Sequence, residues 1–312
     1  MTATASRGKS QTRLGDFVFS KLAIFAGASI LVTLAAVAFF LFIQALPAFA
    51  PDAELGAQAP DGPLAYVAPY VFGTLYGALI ALLIATPLAI GIALYISHYA
   101  PRRFAQTLGY VIDLLAAIPS VVYGLWGILV LAPFLNPTYF WLNENLGWIP
   151  LFEGQVSATG RTMLTVGIVL AIMILPIMAA IIREVFLQTP KLHEEAALAL
   201  GATRWEMIRM AVIPFGRPGI ISAMMLGLGR ALGETMAVAM VLSPASIISF
   251  ALLTSQNSNT IAANIALDFP ESGGDYRSLL IGTGLMLFII TMVVNMIARY
   301  IISRRAEFSG AN

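Results

Sequence analysis

Six stretches of about twenty or more mostly apolar residues recur along this chain, and they constrain its fold more than any other feature. They run from about Leu22 to Leu46, Phe72 to Ile96, Phe104 to Leu135, Thr162 to Val185, Gly219 to Leu242 and Ser278 to Ile302. A helix of about 20 such residues crosses the hydrocarbon of a bilayer. The third stretch is the longest and carries Pro119 inside it. Hydrophobic residues make up 59% of the chain, charged residues only 11%, and the mean hydropathy is +0.86. A soluble domain carries about 25% charged residues, so lipid rather than water is the solvent this surface suits. The expectation is an all-α, polytopic membrane protein with six transmembrane helices. Ala48-Phe49-Ala50 has the look of a signal-peptide cleavage site. The apolar run before it exceeds the roughly 7–15 residues of a signal core, and Pro51 would follow the cut, so the first stretch is read as a retained helix.

The basic residues orient the spans. Arg7, Lys9, Arg13 and Lys21 precede the first; Arg102 and Arg103 follow the second; Arg183, Lys191, Arg204, Arg209 and Arg217 follow the fourth; Arg299, Arg304 and Arg305 end the sixth. The alternate loops hold only Arg161 and Arg277, against eight acids: Asp52, Glu54, Asp61, Glu144, Glu153, Asp268, Glu271 and Asp275. By the positive-inside rule both termini lie in the cytoplasm, which requires an even span count.

The chain divides into a polar cytoplasmic tail over residues 1–20, a first helix and outer loop over 21–70, a core over 71–302 and a tail over 303–312. Pro119 aside, the outer loops at 47–70, 136–161 and 243–277 are where the apolar pattern stops. Tyr139, Phe140, Trp141 and Trp148 in the second read as an interfacial aromatic belt. Ser246–Leu253 in the third is too short to span and is either re-entrant or a cap on the outer mouth. No internal repeat of fixed period is present. The net charge of +1 gives no field to attract nucleic acid. With no cysteine and only His98 and His193, no metal site is expected.

The cytoplasmic loop over about 187–218 carries the most local signals. Thr189-Pro190 reads as a helix start, with Thr as the N-cap and Pro at the first helical position. Glu194 to Leu200 are helix formers, and Gly201 follows where a helix ends best on a residue without Cβ. Thr203 and Glu206 have capping-box spacing. Pro214, Gly216, Pro218 and Gly219 are expected to break the chain before the fifth span.

Two charges fall inside that span. An arginine at the bilayer centre costs about 2.5–3.5 kcal/mol even on an insertion scale, and such residues mark functional pathways. Arg230 and Glu234 stand four residues apart, so on a continuous helix they would share a face and partly neutralise each other. The alternative is a structural ion pair in a tight contact that Gly227, Gly229 and Gly233 permit. A guanidinium makes paired bonds to an oxyanion. In the third span, Pro119 frees a backbone carbonyl, tolerated in lipid where it faces a cavity, and Ser120 and Tyr123 could line it; a simple proline kink is the other reading. Asp113 lies nearby, at the interface or within the span. Gly227 to Thr235 lacks the lysine and spacing of a phosphate loop, so this chain has no nucleotide site of its own.

Glu195-Ala196-Ala197, Gly201 after three further residues, and Ala211-Val212-Ile213-Pro214 nine residues later resemble the EAA signature of ABC importer permeases, with Ala211 and Ile213 as mild departures from its Ile-x-Leu-Pro end. That loop, Asp113 to Gly124, and Gly227 to Val238 together resemble the permeases of the phosphate-specific ABC importer, the last segment the C-type (PstC) subunit over its A-type sibling. The likeness covers roughly residues 70–302. It implies the type I importer fold in the cell inner membrane and a permease, not an enzyme. It implies a heterodimer with an A-type permease, an ATPase dimer that holds ATP and Mg, and a phosphate-binding receptor outside. Glu195, Ala196, Ala197, Gly201 and Pro214 would then couple to the ATPase; Arg230, Glu234, Thr235, Ser120, Tyr123 and Asp113 would line the pathway. Phosphate keeps a proton near pH 7 where sulfate does not, so Glu234 as an acceptor would separate the two. A sulfate or molybdate importer is the nearest rival. A secondary transporter would show repeated halves, and an intramembrane enzyme would need a catalytic set that the sequence lacks.

Overall fold

The computed structural model describes residues 14–306 apart from 52, 54 and 56–58. Arg7, Lys9 and Arg13, with Asp52, Glu54 and the last six residues of the C-terminal tail, lie outside the described residues. Among the described residues, six helical segments are long and apolar enough to cross a membrane: Gly15–Phe49, Pro63–Tyr99, Ser120–Leu146, Met163–Leu187, Arg204–Leu232 and Gly274–Ser303.

The helices, in chain order, are α1 (Leu14–Ala45), α2 (Pro63–Leu94), α3 (Arg102–Ala116), α4 (Ser120–Trp126), α5 (Ala132–Leu146), α6 (Met163–Leu187), α7 (Lys191–Ala199), α8 (Arg204–Met207), α9 (Ile213–Leu232), α10 (Met236–Val241), α11 (Ile261–Asp268) and α12 (Gly274–Ala306). Wide turns of i→i+5 hydrogen bonding follow α2, join α4 to α5, and join α8 to α9. Two two-residue strands, β1 (Pro244–Ala245) and β2 (Asn257–Ser258), pair in parallel.

The core is a trio of α2, α6 and α9. Ala78, Ala81, Ala85, Ala89 and Ala93 form a fully buried stripe along α2, spaced three or four apart so that all face one way. Small residues at such spacing let helix backbones approach, which matters in lipid, where apolar surface alone does not drive helices together. Glycines serve the same end on the other members. A Cβ on Gly167 would lie 2.3 Å from Ile80 Cγ2, one on Gly227 2.8 Å from Met178 Sδ, and one on Gly219 2.4 Å from Val185 Cγ2. By contrast α1 packs on α12 and leaves Phe25, Leu31 and Phe39 exposed, the apolar outer surface of a membrane helix.

Several element bounds differ from expectation, each for a physical reason. Helix α1 begins at Leu14, inside the expected polar tail, and α2 at Pro63, inside the expected first outer loop. Hydropathy marks the hydrocarbon-crossing part of a helix, whereas backbone hydrogen bonding continues past it. The second outer loop is shorter than expected because the third span runs on to Leu146. Tyr139 is consequently not a belt residue: it is 1% exposed and shares a hydrogen bond with Thr165 Oγ1 at 2.8 Å, while Trp141 and Trp148 are exposed.

The third span does not include Phe104 to Ala116. That segment is a separate amphipathic helix, α3, and the chain turns at Ala117–Pro119 before α4 begins. Pro119 therefore precedes a helix (φ −59°, ψ 139°) and does not kink one. Proline suits the entry to a helix, where no N–H is needed.

Pro214, Gly216, Pro218 and Gly219 do not break the chain. The fifth span runs through them from Arg204 to Leu232. The wide turn Ile208–Val212 lies immediately before Pro214. Its opened backbone relieves the clash between a proline ring and the preceding turn that would otherwise end a helix.

The long loop after α10 is a cap. Leu252 N–H donates to the Leu151 carbonyl at 2.8 Å, and Ser157 N–H to the Leu253 carbonyl at 2.9 Å. Asn257, Ser258, Asn259 and Thr260 are buried. They are tolerated there because their polar atoms are paired: Asn257 Oδ1 accepts from Met163 N–H at 3.2 Å, Asn259 Oδ1 from Thr260 N–H at 2.8 Å and Thr260 Oγ1 from Ala263 N–H at 3.3 Å.

Candidate functional site

Arg230 and Glu234 do not lie on one continuous helix. Helix α9 ends at Leu232, Gly233 follows it, and α10 starts at Met236. Gly233, the poorest helix former of the run after proline, is where the backbone departs. Arg230 and Glu234 thus stand on either side of a break at Gly233–Thr235, and no ion pair joins them among the described residues. Glu234 is buried, and its Oε1 accepts from the Ala237 N–H at 3.0 Å. The carboxylate thereby satisfies one of the unpaired N–H groups that every helix start presents. Thr235 donates its hydroxyl back to the Gly233 carbonyl at 3.2 Å.

On the far side of the break, α10 packs against α4, the helix that follows the Pro119 turn. Helices α4 and α10 pack so closely that a Cβ on Gly124 would lie 2.9 Å from Ala237 Cα, and one on Gly127 2.9 Å from Val241 Cγ2. Tyr123 is buried within electrostatic reach of Arg230, and its hydroxyl donates to the Leu115 carbonyl at 2.9 Å. Ser120, half-buried, begins α4. The structure therefore brings Ser120, Tyr123, Arg230, Glu234 and Thr235 onto two packed segments, α4 and the α9–α10 junction. Asp113 is exposed on α3, outside the third span. Gly124 and Gly127 carry the close approach and were not singled out from the sequence for that role; their spacing of three was the available signal.

At the basic end of the bundle, α7 presents Glu195 and Ala196 to solvent, with Ala197 half-buried. It starts at Lys191, with Pro190 in the capping position, so Thr189 is not the cap; its Oγ1 is buried without a partner. The other end forms as expected. Gly201 adopts φ +86°, its N–H donates to the Leu198 carbonyl at 3.0 Å, and Ala202 N–H donates to the Ala197 carbonyl at 3.2 Å. This is the Schellman closure, which needs a residue free of Cβ strain. The Thr203–Glu206 capping box is complete: Thr203 N–H donates to Glu206 Oε2 at 2.8 Å and Glu206 N–H to Thr203 Oγ1 at 3.3 Å. Pro214 is exposed near the start of α9. His98, on the wide turn after α2, reaches Glu194 of α7 at 3.5 Å, an ion pair when the imidazole is protonated.

Known proteins share both this sequence and this architecture. The chain is 45% identical over 304 residues to a protein of Mycobacterium tuberculosis named phosphate transport system permease protein PstC 2, covering 93% of this chain and 92% of that one. It is 41% identical over 318 residues to the phosphate transport system permease protein PstC of Mesorhizobium japonicum, covering 96% and 93%. Among solved structures, a bacterial ABC transporter involved in import of the acidic polysaccharide alginate matches with a TM-score of 0.58 at 15% identity, over 92% of this chain and 98% of that one. The MetNI methionine ABC transporter matches with a TM-score of 0.52 at 14% identity, over 77% and 94%. These structures share the fold, that of ABC transporter permeases. With six apolar spans, three of which form the close-packed trio, and with the profile for binding-protein-dependent transport system inner membrane components matching residues 85–307, the chain belongs to that family of multi-pass inner-membrane permeases.

Proposed function

We propose that this chain is a C-type permease subunit of an ATP-driven importer of inorganic phosphate. The observation that carries the reading is Arg230: a guanidinium within a membrane span, beside a helix break, with no ion-pair partner among the described residues. Such a charge persists in a bilayer where it faces a polar conduit and serves transport, and a guanidinium binds a phosphate through paired bonds. The names of the relatives supply the substrate. Tyr123 lies within electrostatic reach of Arg230, Thr235 stands in the break itself, and Glu234 holds the break between α9 and α10 in shape through the Ala237 N–H. A segment that leaves the helical path at Gly233 exposes backbone polar groups, which in a membrane belong beside a polar cavity.

The exposed α7 turn, with Glu195, Ala196, Ala197 and Gly201, docks on a separate ATPase dimer that carries ATP and Mg. An A-type permease and an external phosphate-binding protein complete the assembly. Both termini lie in the cytoplasm. The decisive experiment is uptake of labelled phosphate by the assembled complex in proteoliposomes, with sulfate and molybdate as competitors. Arg230→Gln is expected to abolish uptake while the complex still assembles. Wild-type uptake in that variant, or equal competition by sulfate, would overturn the reading.

A further inference from the structure

The wide turn after α2 ends in a contact that reaches the coupling segment. Ala100 N–H donates to the Tyr95 carbonyl at 2.8 Å, an i→i+5 bond that inserts one extra residue into the turn and re-aims the side chains it carries. Ser97 and His98 sit there. His98 is 10% exposed and Glu194 25% exposed, and they face each other at 3.5 Å between Nε2 and Oε1.

The donors and acceptors of this contact follow from its partners. Ser97 Oγ lies 2.7 Å from the Ala93 carbonyl and 2.7 Å from His98 Nδ1. A hydroxyl has one proton, and a carbonyl has none to offer. The Ser97 proton is therefore spent on Ala93, and Nδ1–H must donate to Ser97 Oγ. A neutral ring with its proton on Nδ1 would turn a bare Nε2 lone pair toward the Glu194 carboxylate. Only the doubly protonated ring donates at both nitrogens and attracts the carboxylate.

The elements packed against this turn are α2, α3 and α6, and its charged partner lies on α7. Apart from tyrosines (Tyr66, Tyr70 and Tyr76 on α2, Tyr110 on α3), their ionisable groups are Arg102, Arg103 and Asp113 on α3, Arg183 and Glu184 on α6, and Lys191, His193, Glu194 and Glu195 on α7. Of these, Glu194 makes the ion pair with His98 among the described residues.

We propose that imidazolium His98 clasps Glu194 and so fixes the coupling helix α7 to the end of the core helix α2, closing at low pH and opening as rising pH removes the Nε2 proton. His98 is a positioning residue: it touches neither substrate nor nucleotide. The clasp joins the half-buried side of α7 to α2, which packs on α6 in the core, so a displacement of α7 is transmitted to the core. This inference rests on the coupling role proposed for α7, and the experiment separates the two.

The assembled complex in lipid nanodiscs is compared as wild type, His98→Phe and Glu194→Ala by hydrogen–deuterium exchange over residues 190–200. His98→Phe keeps the ring and removes its nitrogens; Glu194→Ala removes the carboxylate while keeping a strong helix former. Each is compared with wild type at the same pH, so intrinsic exchange rates cancel. Histidine ordinarily changes charge between about pH 5 and 8. At the lower end both variants are expected to exchange about two- to fivefold faster than wild type, the scale of a single modest ion pair. At the upper end all three are expected to coincide. His98→Lys, charged throughout, is expected to protect α7 at both pH values. Identical exchange in wild type and both variants at low pH would overturn the clasp. If exchange changes as expected and the ATP consumed per phosphate imported rises with it, the coupling role stands too. Changed exchange with unchanged stoichiometry upholds the clasp and overturns the coupling reading of α7.

Discussion

Tyr123 donates its hydroxyl to the carbonyl of Leu115 at 2.9 Å, fastening the start of the third span to the end of the amphipathic helix before it. The bond closes over the turn at Ala117–Pro119, so the same side chain that lies within electrostatic reach of Arg230 also holds the angle between α3 and α4. Tyr123→Phe separates these duties. A net hydrogen bond is worth about 0.5–1.5 kcal/mol, and the Leu115 carbonyl keeps a backbone donor, Ile118 N–H at 3.3 Å, so the loss should fall at the low end of that range. The purified complex is expected to melt slightly earlier and to retain reduced uptake. Tyr123→Ala, which removes the buried ring as well as the hydroxyl, is expected to abolish uptake. Full activity in Tyr123→Ala would remove Tyr123 from the pathway.

The junction of α4 and α10 leaves no room for a methyl group. A Cβ at Gly124 would meet Ala237 Cα at 2.9 Å, a backbone atom that cannot rotate away. Gly124→Ala must therefore push the two segments apart, at about 1–3 kcal/mol for an overpacked contact. Because Glu234 caps α10 through Ala237 N–H, that displacement falls on the break beside Arg230. Uptake is expected to drop sharply while assembly is kept. Gly91→Ala is the control, since nothing lies within 4 Å of its added Cβ.

The spans were legible because hydropathy reports which residues lie in hydrocarbon, and it placed four of the six close to where they stand; the third begins later, at Ser120, and the fifth runs from Arg204 to Leu232 instead of Gly219 to Leu242. The EAA loop was legible at Gly201 and at Thr203–Glu206, where the backbone permits few residue types. What escaped was geometry that depends on two segments meeting. The interval from Arg230 to Glu234 reads as one helical turn until Gly233 ends the helix, and single glycines elsewhere in the same span, such as Gly227, do not end it. Gly227 instead seats Met178. The difference lies in packing partners far off in sequence. Pro214 and Pro218 likewise read as breakers, and only the wide turn before them keeps the helix continuous. His98 reads as a lone histidine, since Glu194 stands nearly a hundred residues away.

The cap meets α2 at several points: Ser246 shares a hydrogen bond with the Tyr70 hydroxyl at 3.0 Å, the Phe250 carbonyl accepts from Tyr76 at 2.9 Å, and the closest approach is at Gly73. A Cβ on Gly73 would lie 2.2 Å from the Asn259 carbonyl oxygen and 2.6 Å from that of Ser258. Both are backbone atoms of the segment that leads into α11. Gly73→Ala is expected to lift that segment and to break the Ile261 N–H to Thr74 hydroxyl bond beside it. Asn257→Ala tests the same cap from the other side. It removes the acceptor of Met163 N–H and the donor to the Thr254 carbonyl at a residue 1% exposed. Buried groups left unpaired cost about 1–3 kcal/mol each. Limited proteolysis of residues 243–273 in the assembled complex checks both: faster cleavage than wild type is expected in each variant, and unchanged cleavage would show that the cap is held elsewhere.

Gly201 distinguishes strain from obstruction in the loop assigned to coupling. Its φ of +86° lies in the region that L side chains avoid, yet open space surrounds its Cβ position. Gly201→Ala therefore meets no neighbour and pays only the left-handed backbone penalty, about 1–2 kcal/mol. Gly201→Pro is harsher on two counts. Proline holds φ near −65°, so the Schellman turn cannot form, and it deletes the N–H that Leu198 accepts. With the turn lost, α7 and α8 no longer meet at the fixed angle that Thr203 and Glu206 set. The expected order of uptake and of receptor-stimulated ATP hydrolysis is wild type, then Gly201→Ala with a partial loss, then Gly201→Pro with near-complete loss, while the ATPase alone is unaffected. Equal rates in all three assembled complexes would mean that the angle between α7 and α8 plays no part in transmitting ATP-driven motion to the spans.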